Sequence, residues 1–197
     1  MFSFYSIKNQ TNFLDKWQTV FTPAQLYFLS VPEADQRQKI IQQYLKLFTQ
    51  HHLNKRLGII TAQEDILLPY LSVRENILLN LNGSTKKKHQ WQTTHSHDFF
   101  EKEGSELTTT ERFYVQLYRN LFAGKDIILI DASLDDYPPA EMRAVLQKLN
   151  QLLVSAPLTI IFLTANQELL NSEHEQSIRT IPFLNDIKKV WLFVKSC

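Results

Sequence analysis

Two histidines stand at a spacing that could hold a metal ion. His95 and His97 are two residues apart, with His89 and Asp98 close by in the sequence. In an extended segment such a pair points to one face, as zinc ligands on a strand can do. The single cysteine, Cys197, is far along the chain, and no second cluster of ligand residues stands beside the pair. We therefore predict no metal site at these histidines.

Charge and the length of the apolar runs exclude several classes of function. The chain has 21 basic and 20 acidic residues and a formal net charge of +1, so no overall basic field attracts nucleic acid. We interpret the run Lys86–Lys88 as a solvated loop rather than a contact to nucleic acid or lipid. The longest apolar runs, such as Leu158–Leu163, are far shorter than the roughly 20 residues of a membrane span. One cysteine excludes a disulfide framework, and the opening MFSFYSIKNQ is not typical of a secretory signal. We expect a globular protein with no nucleic-acid partner and no direct membrane insertion.

Apolar runs and helical patterns alternate along the chain. The strand candidates are Leu26–Leu29, Leu57–Ile60, Ile127–Ile130, Leu158–Leu163 and Val190–Val194. Between them, apolar residues recur at helical spacing over 40–48, 114–122 and 142–149. Strand, helix and strand in turn predict a parallel sheet with helices on both faces. We expect one domain over 1–197, in which the polar stretch 80–106 is an insert.

Local signals bound two of these helices. Thr108 and Glu111 stand three residues apart and form the pattern of a capping box, which predicts a helix beginning after Thr108. Gly124 can close that helix. Pro138 and Pro139 can open the next one, because proline suits the first helical turn.

Three stretches together resemble the ATPase subunits of ABC transporters. In Phe13–Leu29, the turn Thr22–Gln25 is similar to the family's turn between an opening strand and the strand before the P-loop. Gly58–Ile77 resembles the Q-loop region, with Gln63 at the Q-loop glutamine. Leu107–Asp131 resembles the signature helix that runs into the Walker B strand. The resemblance implies an α/β, P-loop NTPase-like ABC ATPase core with a mostly parallel sheet. The short stretch 80–106 then implies a reduced helical subdomain.

The resemblance aligns residues 30–37 with the P-loop, whose pattern is Gly-x-x-x-x-Gly-Lys-Ser/Thr. Glycines let backbone N–H groups close around phosphates, and the lysine neutralises them. Ser30 and Asp35 stand at the glycine positions, Gln36 at the lysine and Arg37 at the hydroxyl. No glycine precedes residue 58, so no other register supplies the loop. Asp35 also brings a negative charge to the place of a phosphate.

We expect this loop to be collapsed. A run without glycine does not readily adopt positive φ angles, and Pro32 removes one N–H donor. The helix that follows should begin near Glu33, with the anion site filled by side chains of the loop and helix.

The other motifs that the resemblance implies have changed as well. The signature Leu-Ser-Gly-Gly reads Leu107–Thr110, in which Thr108 keeps a hydroxyl. Asp131 stands at the magnesium-side aspartate of Walker B, but Ala132 replaces the glutamate that follows it. Ala165 stands at the switch histidine. We expect Asp131 to bond to the loop instead of a metal ion.

These losses imply a non-catalytic ABC-type subunit, a pseudo-ATPase of a bacterial transport or export system at the cytoplasmic face of the membrane. The expected partners are an integral-membrane permease, a competent ABC ATPase, or both. No cofactor is expected, with ATP and magnesium bound only if the degenerate site still functions. In the family, the Q-loop segment faces the permease, so we expect Gln63, Leu67, Leu68 and Tyr70 to bind a partner.

Alternatives stay open for these residues and for the function. Leu67 and Leu68 could fold back into the core, because leucine is usually buried. Gln63 could be an inherited loop glutamine without a ligand. The chain could be a weak nucleotidase that uses Asp131 and Arg37. It could also be a stand-alone interaction module, because a fold does not by itself fix a function.

Overall fold

The computed structural model describes residues 2–61, 67–79, 96–131, 134–166 and 178–181, with backbone only for 2–9 and 178–181. The helices are α1 (Phe2–Val20), α2 (Ala34–Gln50), α3 (Val73–Leu78), α4 (His97–Glu101), α5 (Thr109–Phe122) and α6 (Pro139–Ser155), and a 3₁₀ turn spans Gly104–Glu106. The strands are β1 (Gln25–Ser30), β2 (Leu57–Thr61), β3 (Ile127–Asp131), β4 (Thr159–Thr164) and β5 (Ile178–Ile181). The chain divides into two compact units, residues 1–61 with 126–197, and residues 62–125.

The first unit contains a five-stranded sheet in the order β2-β3-β4-β1-β5. Each strand pairing in it is parallel. This confirms the predicted α/β fold and the four predicted strands that became β1 to β4. β5 was not predicted, because its four residues form no apolar run. The fifth predicted strand, Val190–Val194, lies outside the described residues.

Both faces of the central strands are buried, which explains why their sequences are continuous apolar runs rather than alternating ones. On one face, Tyr27 and Leu29 of β1 join Ile161 and Leu163 of β4 in a core that α1 and α2 complete. On the other face, Phe28 stacks on Phe162 at 5.2 Å between ring centroids. α6 contacts β1.

The resemblance implies an opening strand before the turn Thr22–Gln25, and this prediction is wrong. Residues 2–20 form the 19-residue helix α1 instead. Phe13, Trp17 and Phe21 are spaced four residues apart, so they line one side of a helix and not one side of a strand. They pack edge-to-face on aromatic rings of α2 and β1, with Trp17 on Tyr44 and Phe21 on Tyr27. A helix therefore covers this face of the sheet.

The second unit is held by capping boxes at three successive segments. The pairs are Ser72 with Glu75, Glu103 with Glu106, and Thr108 with Glu111. In each box the glutamate accepts from the backbone N–H of the capping residue, which is otherwise without a helical partner. The box of Thr108 and Glu111 is the predicted one, and it begins α5. This helix ends before Gly124, whose φ is 78°. Of the expected insert 80–106, the described part is 96–106, which contains α4 and the 3₁₀ turn.

Asn76 and Gly104 fix the loop 67–72. The buried amide of Asn76 accepts from Leu68 N and donates to the carbonyls of Leu68, Leu71 and Ser72. Gly104 N donates to Leu71 O at 2.9 Å, so two backbones run side by side here. A Cβ on Gly104 would lie 2.6 Å from Leu68 O, and only glycine tolerates this approach.

No helix within the described ranges is long and apolar enough to cross a membrane.

Gly104→Ala should lower the free energy of unfolding by about 1–3 kcal/mol, because the new methyl group overpacks against a backbone carbonyl. Ser105→Ala is the matched control: Ser105 is exposed, and its backbone N–H still donates to Pro69 O in the variant. The control should stay within about 0.5 kcal/mol of the wild type in urea unfolding. Equal stability of the two variants would contradict the close approach.

Candidate functional site

The carboxyl ends of three neighbouring strands meet at one edge of the sheet, the edge at which open α/β sheets bind ligands. β1 ends at Ser30, β3 at Asp131 and β4 at Thr164. Ser30 lies opposite Thr164 in the parallel register, and Val31 N continues the ladder to Thr164 O at 2.9 Å. The candidate site is formed by these ends and the start of α2.

The loop between β1 and α2 is short and contains no left-handed residue. Three residues, 31–33, join Ser30 to the first helical residue, Ala34, and Glu33 is the N-cap residue. None of residues 30–37 has a positive φ. The helix therefore begins within one residue of the predicted position. Such a backbone does not form the glycine-based nest of N–H groups that encloses phosphates.

Arg37 occupies the interior of this site. Its Nε donates to Asp131 Oδ1 at 2.8 Å, and its Nη1 donates to the carbonyls of Val31 at 2.9 Å and Pro32 at 2.8 Å. The side chains of Arg37 and Asp131 are only 14% and 11% exposed. Gln38 Nε2 donates to the second carboxylate oxygen of Asp131 at 3.2 Å. One guanidinium thus bridges the loop, the helix and β3.

Burial and the ion pair with Arg37 shift the pKa of Asp131 in opposite directions. Burial raises the pKa of Asp131 most strongly, and the nearby charge of Asp135 raises it further. The charge and hydrogen bond of Arg37 lower this pKa, as does the bond from Gln38, but the net shift is upward. An ionised Asp131 is therefore tolerated because Arg37 is beside it, not because water reaches it.

The exposed end of the site carries acidic groups. Glu33 and Asp35 are both exposed, and Asp35 lies in the first turn of α2. Carboxylates complement the positive end of the helix dipole, which would otherwise attract an anion. Gln36, at the lysine position of the motif, is also exposed and brings no charge.

Asp135 closes the end of β4, a role that the sequence analysis missed. Its carboxylate accepts from the hydroxyl of Thr164 and, at 2.9 Å, from the backbone N–H of Ala165. Asn166 N donates to Thr164 Oγ1 at 3.0 Å and completes the turn. Ala165 thus lies in the turn that follows β4, where its backbone N–H is bonded to Asp135. Ala132, at the position of the catalytic glutamate, lies outside the described residues.

Thr108 belongs to the second unit, where it caps α5. Its Oγ1 accepts from Glu111 N at 3.3 Å and is also bonded to Glu111 Oε2 at 3.1 Å. The hydroxyl that the signature motif retains is therefore engaged in the capping box.

The expected partner-binding residues differ in exposure. Leu67 is buried at 5% exposure, in agreement with the alternative that it folds back into the core. It is an apolar side chain at the start of a loop fixed by Asn76, and it packs inward. Leu68 is half-buried, whereas Tyr70 is 70% exposed. Gln63 lies outside the described residues.

The class of fold that these features define is that of the P-loop NTPase-like core of ABC ATPases. No protein-family model matches the sequence, and no curated protein matches it. The structure is similar to CbiO1 from Clostridium perfringens, described as part of the ABC transporter complex CbiONQ, with a TM-score of 0.64, 11% identity and coverage of 74% of this chain and 69% of that one.

Two further solved structures have the same fold. A bacterial ABC transporter cassette solved as a dimer matches with a TM-score of 0.56 and 14% identity, over 82% of this chain and 83% of that chain. A putative metal-chelate type ABC transporter in an inward-facing conformation matches with a TM-score of 0.55 and 15% identity, over 73% of this chain and 63% of that chain.

Arg37→Met should lower the free energy of unfolding by about 3 kcal/mol at pH 7, because it leaves the buried carboxylate of Asp131 unpaired. Removing Arg37 also removes the charge and the hydrogen bond that lower the pKa of Asp131, so this pKa should rise further in the folded variant. The loss should therefore be complete above the pKa of Asp131 in the variant and shrink as the pH falls from there through the lower wild-type pKa. Urea unfolding at pH 7 and pH 4 measures both effects.

Two variants serve as controls for this prediction. Arg37→Lys keeps the charge but loses the planar guanidinium, in which Nε bonds to the carboxylate and Nη1 to the carbonyls, so its loss should be intermediate. In an Asp131→Asn background, Arg37→Met should cost less and show no such pH dependence. A pH-independent loss in the native background would contradict the pairing.

Proposed function

We propose that this chain is a non-catalytic subunit of an ABC-type transport system, a pseudo-ATPase that acts through its contacts with other subunits. The observation that carries this proposal is the guanidinium of Arg37 against the carboxylate of Asp131. In P-loop ATPases, the P-loop hydroxyl and the Walker B aspartate together hold magnesium. Here arginine stands at the hydroxyl position, and its charge compensates the aspartate without a metal ion.

The residues around this pair do not fit Mg-ATP. The loop has no glycine and no positive φ, and Arg37 already bonds to the carbonyls of Val31 and Pro32. Exposed carboxylates of Glu33 and Asp35 would repel a triphosphate. Phosphoryl transfer depends on groups positioned around the phosphates, and such groups are missing here from the P-loop itself.

The alternative of a weak nucleotidase has less support. It requires Asp131 and Arg37 to face a substrate, whereas each is the hydrogen-bond partner of the other. Freeing one of them would leave the other buried and unpaired, which is costly. We therefore favour a structural or regulatory subunit over an enzyme.

The partner is proposed from the fold and from Tyr70. CbiO1 is described as part of the ABC transporter complex CbiONQ. Tyr70 projects from a loop that Asn76 and Gly104 hold rigid. An exposed aromatic side chain on a rigid loop is a typical centre of a protein interface. We propose that a permease, with or without a competent ATPase, binds this chain at the cytoplasmic face of the membrane.

Calorimetry with Mg-ATP should detect no saturable binding up to about 1 mM, a concentration at which a weak binder would be seen. Ala132→Glu should not create hydrolysis, because the phosphates would still lack a cradle. A dissociation constant in the low micromolar range, or turnover by this variant, would contradict the proposal.

Tyr70→Asp should reduce co-purification of the membrane partner from native membranes by about tenfold, because it removes an aromatic contact and adds a charge. Val154→Asp is the matched control: Val154 is 91% exposed in the first unit, so a carboxylate that replaces this exposed apolar side chain should leave recovery unaltered. Circular dichroism confirms that both variants are folded. Equal recovery of the partner by the two variants would exclude Tyr70 from the interface.

A further inference from the structure

Aromatic rings join α1 to α2 within the first unit. Phe13 stacks on His51, with 4.5 Å between ring centroids, and packs edge-to-face on Phe48 at 5.2 Å. Trp17 packs edge-to-face on Tyr44 at 5.4 Å and on Phe48 at 5.1 Å. We call these five residues the aromatic interface. Its stability depends on keeping water away from the rings.

Two buried polar atoms of the aromatic interface have no partner. The indole Nε1 of Trp17 and the hydroxyl of Tyr44 form no hydrogen bond within the described part of the chain. Trp17 and Tyr44 are only 3% and 5% exposed, and burial raises the pKa of Tyr44. A polar atom that loses its bond to water and gains no other weakens the packing that buries it. We therefore expect α1 to separate from α2 more easily than the strands separate from one another.

His51 places a titratable group at the end of the aromatic interface. It is the C-cap residue of α2, and its side chain is half-buried against Phe13. Burial lowers the pKa of His51 most strongly, and the charge of His52 lowers it further. The carboxyl end of a helix usually favours a protonated histidine, but the net shift of this pKa is downward. A charged His51 is therefore less stable against Phe13 than in water.

The charged residues around His51 do not compensate a positive charge on it. Of the described side chains of α1, Lys16 lies one turn after Phe13, whereas the exposed Asp15 is two positions from Phe13 and so lies on the other side of the helix. The charged residues within five positions of His51 are all basic, and Arg56 among them is paired with Asp126. They are Lys46, His52, Lys55 and Arg56. Protonation of His51 therefore adds a positive charge to a basic group of side chains.

We propose that α1 is a releasable cover on α2, which opens when His51 is protonated. The inference concerns the first unit and goes beyond the proposed function. Because the pKa of His51 is lowered in the closed state, its contribution to closure is complete above the ordinary pKa of histidine. This contribution declines as the pH falls from there to the lowered pKa. Opening returns Trp17 to water and uncovers the rings of Tyr44 and Phe48.

Amide hydrogen exchange of the full-length chain, followed by mass spectrometry, tests this proposal. The equilibrium constant for opening of α1 is obtained from the amides of residues 10–20, after correction for the intrinsic effect of pH on exchange. β4 is the internal reference. The opening constant of α1 should exceed that of β4, and it should rise about threefold between about pH 7.5 and pH 5.5, with a smaller change in β4.

Three variants separate the role of His51 from general effects of pH. His51→Gln keeps a polar neutral side chain that takes up no proton, so its opening constant should not rise in acid. His97→Gln is the matched control: His97 is exposed in the second unit, and the rise should persist there. Tyr44→Phe removes the unpaired hydroxyl and should lower the opening constant of α1 about fivefold at neutral pH.

The possible results either support or overturn the cover. A rise in the wild type and in His97→Gln that is absent from His51→Gln supports it, as does slower exchange of α1 in Tyr44→Phe. Equal opening constants for α1 and β4, or a rise that persists in His51→Gln, overturns it. Tighter closure of the wild type in acid, as a cation–π contact between His51 and Phe13 would give, also overturns it. So does a Tyr44→Phe variant in which α1 exchanges as in the wild type.

Discussion

The guanidinium of Arg37 is the interaction on which the candidate site depends. It joins three parts of the first unit: the end of β3 through Asp131, the loop after β1 through two carbonyl oxygens, and its own helix α2. A buried carboxylate without a cation is unstable in the folded state. Arg37 supplies that cation and also donates to the two loop carbonyls, while Gln38 donates to the second carboxylate oxygen. The site at the carboxyl edge of the sheet, where this class of fold binds ligands, is thereby occupied by the side chain of Arg37.

Other polar groups at this edge are also bonded within the chain. Asp135 caps the end of β4 through Thr164 and Ala165, and the carboxylates of Glu33 and Asp35 complement the start of α2. The carboxylates of Asp131 and Asp135 thus each accept hydrogen bonds from the chain itself. A nucleotide would have to displace these bonds rather than complete them. This is the physical basis for proposing a subunit that works by contact.

Much of the fold could be predicted because its signals are local. The continuous apolar runs of β1 to β4 predicted buried parallel strands, and Thr108 with Glu111 predicted the start of α5 to the residue. The absence of glycine from 30–37 predicted a loop without positive φ. The opening strand that the resemblance implied is a helix instead, because Phe13, Trp17 and Phe21 recur every four residues and so line one side of a helix. That spacing is a helical signal and was present in the sequence.

The sequence by itself determined which groups the site lacks, since missing glycines and a missing lysine cannot be restored by folding. It also determined the capping boxes and the buried strands, which depend on neighbours within a few residues. Only the tertiary structure decided what fills the site, because Arg37 and Asp131 are 94 positions apart in the chain. In the same way, the inward packing of Leu67 depends on contacts that only the folded unit provides. Hydrogen bonds between distant segments and the burial of a particular side chain are properties of the packed chain, and no local pattern encodes them.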